Sequence, residues 1–93
     1  MYASSKGALE AFSKDTAREW GQLGIRSNVV VPGFMETAMS ASLTEDQKDR
    51  SYKRTSLKTA TSVRSVAETV AFLLSDKACS ITGQNVHVDN GTI

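Results

Sequence analysis

The sequence predicts an α/β fold of the doubly wound kind, and three observations point there. Val29, Val30 and Val31 are consecutive β-branched residues, the pattern of a strand buried on both faces in a parallel sheet. A second β-type run follows at residues 84–88. Between the two runs lies a helix with an apolar stripe, which makes the connection a crossover and the two strands parallel. A further helix precedes the first strand, so one helix is expected on each face of the sheet. Two strands are too few to complete such a sheet. The chain is therefore expected to be the C-terminal part of a larger domain.

The first helix is expected over residues 1–23. Tyr2, Lys6, Leu9, Ser13, Thr16 and Trp20 fall on one stripe at a 3.6-residue period, with Phe12 and Leu23 on its shoulder. Gly21 and Gly24 end it. Its other face opens with Ser4, Gly7, Ala8 and Ala11. Small residues in a row let a second helix approach closely, and they also simply favour helix or fit a tight spot. The strand is expected over residues 25–31, stopped by Pro32-Gly33. A loop rich in Met, Ala and Ser follows, and then Thr44-Glu45-Asp46-Gln47, a capping box that starts a short charged helix ending near Lys53. The crossover helix starts near Ser62 or Ser65, since Ser65-x-x-Glu68 is also a capping box. Its stripe is Val63, Val66, Ala67, Val70 and Leu74. Gly83 turns the chain into the last strand, and Asp89-Asn90-Gly91 is a turn.

Composition narrows the function. The chain has 93 residues, with 11 Lys+Arg against 10 Asp+Glu. That balance supplies no general field for nucleic acid or an anionic membrane surface. The basic run Lys48, Arg50, Lys53, Arg54 and Lys58 is interleaved with acids and reads as a solvated face, although it can also greet an anionic substrate carrier. One cysteine, Cys79, excludes an internal disulfide, and one histidine, His87, excludes a His-rich metal site, so no metal site is expected. His87 is expected to be structural. A reducing compartment fits this cysteine usage, and a cytoplasmic location is expected. The longest apolar run, residues 70–74, is far below the ~18 residues of a membrane span.

Tyr2 and Lys6 carry the sharpest chemical signal. They lie one helical turn apart on one face. A free tyrosine ionises near pH ~10, and an ammonium one turn away favours the phenolate. Such a tyrosine can give a proton to a carbonyl oxygen or take one from an alcohol. Tyr-x-x-x-Lys alone also describes a surface pair at a helix start. Its context is Tyr2-Ala3-Ser4-Ser5-Lys6-Gly7-Ala8-Leu9, then Gly24-Ile25-Arg26-Ser27-Asn28-Val29-Val30-Val31-Pro32-Gly33-Phe34-Met35-Glu36-Thr37, then Ile81-Thr82-Gly83-Gln84-Asn85-Val86-His87-Val88-Asp89-Asn90-Gly91. In that order these segments resemble the C-terminal part of the classical short-chain dehydrogenase/reductase family, and within it the 3-oxoacyl-[acyl-carrier-protein] reductase type. The resemblance leaves out only the loop from about residue 38 to 61.

The resemblance implies a Rossmann-type fold and an NAD- or NADP-dependent oxidoreductase acting on a small-molecule carbonyl/alcohol pair. It implies that Tyr2 is the catalytic acid/base and that Lys6 tunes it and holds the nicotinamide ribose. It places Pro32, Gly33, Met35 and Thr37 beside the nicotinamide. Residues 38–61 would be the substrate lid, with Ala38, Met39 and Leu43 in it. It treats Asn28 as structural. A homo-oligomer packed through the first helix is implied as well. The family's Gly-rich phosphate loop, ribose selector and catalytic serine and asparagine precede the tyrosine, so this chain by itself is expected to be inactive. Asn90 stands where the family more often has glycine; asparagine tolerates positive φ, and the turn is expected to survive. Two alternatives stay open: a noncatalytic self-associating domain, and a family member acting on a sugar, steroid or other alcohol.

Overall fold

The computed structural model describes residues 2–35 and 43–92, Tyr2 in its backbone only. Helix α1 spans Tyr2–Trp20 and runs into a 3-10 turn, Gly21–Leu23. Strand β1 is Val29–Pro32, helix α2 Glu45–Lys53, helix α3 Val63–Leu74 and strand β2 Asn85–Val88. The α/β class and the element order follow the sequence. The two strands pair in parallel, with Val29 opposite Asn85 and Pro32 opposite Val88.

Local chemistry sets each boundary. Gly24 takes φ 79° and its N–H closes onto the Gly21 carbonyl at 2.9 Å, which stops the helical turn. Thr44 and Gln47 form the reciprocal capping box expected for α2. Ser62, not Ser65, caps α3 by accepting the Ser65 N–H, and Glu68 instead pairs with Arg64 at 2.8 Å.

Strand β1 starts four residues later than expected because residues 25–28 bond through side chains and turns. The Arg26 guanidinium donates to the Leu73 carbonyl at 2.6 Å. The Ser27 carbonyl accepts the Gly83 N–H at 2.8 Å. Asn28 donates to the Ile81 carbonyl and accepts the Gln84 N–H, both at 3.0 Å. It is structural, as expected: its amide occupies the place of one more ladder rung. Helix α1 is tied to the same region through Ser13 and Ser27, whose hydroxyls lie 2.8 Å apart, and through Lys14 on the Gly83 carbonyl.

The expected apolar stripes are only partly buried. On α1 the buried residues are Ser13 and Ala17, while Leu9 is 57% exposed and Trp20 47%. On α3 Leu73 is buried and Val66 and Thr69 are half-buried, whereas Val63, Ala67, Val70 and Leu74 are exposed. Strand β1 is half-buried along its valines and exposed at Pro32. The cause is length. Strands of four residues reach about 13 Å, whereas the 19 residues of α1 run about 28 Å and the 12 of α3 about 18 Å, so the sheet backs only part of each helix.

Candidate functional site

The C-terminal ends of the two parallel strands open into a cleft of about 540 Å³. Lys6, half-buried in the second turn of α1, forms one side. Pro32 and Gly33 come from the end of β1, Ser51 and Arg54 from α2 and its end, and His87 and Asp89 from β2 and its turn. Lys6 also lines a smaller cleft of about 290 Å³ between α1 and residues 29–32. In open α/β sheets this end of the strands is where ligands bind.

Gly33 is required by close approach. A Cβ there would sit 2.7 Å from the Asp89 Cβ and 2.9 Å from the Thr61 hydroxyl. Its N–H donates to the Val88 carbonyl at 3.0 Å and so extends the ladder past Pro32, which has no N–H to give. The Asp89 carboxylate accepts the N–H groups of Gly91 at 2.9 Å and Thr92 at 3.3 Å. Desolvation raises the Asp89 pKa, but those two backbone bonds, the nearby His87 and the Thr92 hydroxyl outweigh it and hold the carboxyl below its ordinary value.

Lys6, Pro32 and Gly33 are thus brought to one cleft from positions far apart in the chain. Tyr2 lies one turn before Lys6 in α1; its side chain, with Thr37, Ala38 and Met39, is outside the described residues. Met35 and Leu43 are half-buried. His87 was expected to be a structural residue. Its side chain is 53% exposed, on the cleft wall, with Nδ1 3.8 Å from the Asp89 carboxylate. Arg54, within the 38–61 segment expected as the lid, and Asp89, read only as part of a turn, also reach the cleft. The turn signal at Asp89 was visible, but no spacing in the sequence relates it to Lys6. Among the described residues no group of three or more His, Cys, Asp or Glu could hold a metal ion. No helix among them is long and apolar enough to cross a membrane.

Lys6, one turn into a helix, thus shares a cleft with the Pro-Gly end of a strand in an α/β sheet. A family model described as enoyl-(acyl carrier protein) reductase matches residues 1–92. The chain belongs to this family of short-chain dehydrogenase/reductases, which are oxidoreductases. It is 42% identical over 90 residues to 3-oxoacyl-[acyl-carrier-protein] reductase FabG of Escherichia coli (strain K12). It is 41% identical to the protein of that name from Staphylococcus epidermidis and 37% identical to that from Vibrio cholerae. Each match covers 97% of this chain and 37% of the relative, so the chain spans about 37% of the length of the curated relatives it matches.

Proposed function

We propose that these residues serve an NAD(P)-dependent reductase of 3-oxoacyl thioesters, which interconverts a carbonyl and a secondary alcohol. The observation that carries this reading is Lys6 and Pro32-Gly33 on one cleft at the C-terminal strand ends. The cleft suits a nicotinamide riboside: the Lys6 ammonium can donate to ribose hydroxyls, and the strand end offers backbone groups to a carboxamide. A bound nicotinamide would supply or accept the hydride. Tyr2 gives its phenolic proton to the carbonyl oxygen in reduction and takes it back in oxidation. The Lys6 ammonium stabilises the phenolate and holds the ribose. Pro32 and Gly33 lie beside the nicotinamide, the Met35 backbone meets its carboxamide, the Thr37 hydroxyl contacts the carboxamide or the pyrophosphate, and Ala38, Met39 and Leu43 belong to the substrate lid.

The sequence holds no Gly-x-Gly-x-x-Gly turn. The 93-residue chain by itself is therefore proposed to bind the cofactor weakly and to turn over no substrate. The test grafts residues 1–92 in place of the matching segment of the E. coli relative. We expect reductase activity in the graft, and a fall in kcat of about 10²-fold or more for Tyr2→Phe. A folded graft without activity, or one indifferent to Tyr2, defeats the reading.

A second reading, a noncatalytic self-associating domain, draws on the exposed Leu9, Phe12, Trp20 and Leu23. Sedimentation of the chain without cofactor tests it. A concentration-independent monomer excludes it.

A further inference from the structure

We propose that Asn90 is a positioning residue, whose side-chain amide pins residues 55–61, a strap whose first residue, Thr55, lines the same cleft as Lys6. The proposal rests on the enzyme reading above for its consequence, though not for its geometry. Residues 55–61 form a strap that leaves α2 and crosses between the two strand ends. On one side the Thr61 N–H donates to the Phe34 carbonyl at 2.7 Å, just past the Pro-Gly bend. On the other, the Ser56 N–H donates to the Gly91 carbonyl at 2.8 Å and the Leu57 N–H to the Asn90 carbonyl at 3.1 Å. The approach is close: a Cβ on Gly91 would lie 2.8 Å from the Ser56 hydroxyl. The first residue of the strap, Thr55, lines the cleft beside Arg54.

Backbone bonds alone leave the middle of this strap unsupported. Lys58 sits at φ 59°, a conformation an L-residue other than glycine keeps only when its surroundings enforce it. The Lys58 ammonium donates to the Lys53 carbonyl at 2.7 Å, and the Asn90 amide restrains the chain on the other side of it. Its Nδ2 donates to the carbonyls of Thr59 at 2.9 Å and Ala60 at 3.0 Å, the two residues after Lys58. Asn90 is itself at φ 57°, so a glycine there would keep the turn and lose both bonds. Asparagine at this position thus adds a clasp that glycine lacks without changing the backbone, and through the strap the clasp holds Thr55 at the cleft.

Hydrogen exchange on the 93-residue chain reads the clasp directly. In Asn90→Gly the Ser56, Leu57 and Thr61 amides should exchange about tenfold faster. Asn90→Asp should be faster still, because its carboxylate faces two carbonyl oxygens and has no donor to offer. The Val29 and Gly33 amides, in the strand ladder, should keep their rates. Unchanged strap amides in both variants, or an equal rise in the ladder, overturns the proposal. In the grafted reductase Asn90→Gly should raise KM for a 3-oxoacyl thioester about threefold to tenfold and leave kcat within about twofold. Faster strap exchange with KM unmoved, or a loss confined to kcat, overturns the positioning role. A graft that is inactive with its native Asn90 counts against the roles of Tyr2 and Lys6, and the exchange rates then decide the clasp by themselves.

Discussion

At Gly33 a single hydrogen atom decides whether the two strand ends can meet. A methyl group there would face the Cβ and Cα of Asp89 at 2.7 and 2.8 Å, and neither can swing aside as a side-chain tip would. Gly33→Ala is therefore expected to destabilise the fold by about 1–3 kcal/mol. Urea unfolding of the chain checks it, and a loss below a few tenths contradicts the contact. The sequence marked Pro32-Gly33 as a strand end. It did not say that the obstacle is Asp89, because an obstacle across parallel strands lies wherever the crossover returns. Lys6 was legible for the opposite reason: its link to Tyr2 is one helical turn of local spacing. His87 was not, since only the closed fold brings it to the cleft wall.

Among the elements, α2 depends most on its ends. It buries no residue, and what defines it is the capping box, Glu45 and Asp46 in the first turn and Arg50 and Lys53 in the last. Thr44→Ala is expected to weaken it by about 1 kcal/mol. Chemical shifts of residues 45–53 should move toward coil while the β1–β2 ladder keeps its own. Coil-like shifts in both regions would mean that the helix and sheet unfold together. This helix was readable to within a residue because a capping box is written in four consecutive letters. The start of β1 was not. Ile25 and Val29 have similar strand preference, and the difference is that Arg26, Ser27 and Asn28 find partners in residues 73–84. Likewise the apolar period located α3, but of its stripe only Val66 is half-buried and the buried Leu73 lies outside it, because the extent of the sheet beneath the helix is a tertiary property.

The whole molecule has a small core of Ala17, Leu73 and Ala78, with Ser13, Thr55 and Thr61 buried beside them. Large apolar side chains on α1 and α3 face outward, and among the described residues the sheet has two strands. Exposed apolar area of this kind favours association. Phe12→Asp, at a side chain 69% exposed, should lower the average mass in sedimentation at high protein concentration without lowering the unfolding midpoint. A mass that is unaffected would place the contact elsewhere. The fold class was legible because two β-type runs around one helix admit few arrangements; the exposure was not, because periodicity shows which residues share a face and is silent on what lies opposite. The parallel pairing of Val29 with Asn85 has one more consequence, in the order of events during synthesis. Strand β1 is made well before β2, and every rung between the two waits for residues 84–88. Local helix can form early, but these rungs, the Asn28 bridges and the turn at Asp89 are gained in one later, slower closure. Until then the edge of Val29, Val30 and Val31 that β2 covers stands open, and that edge is what a chaperone would need to shield.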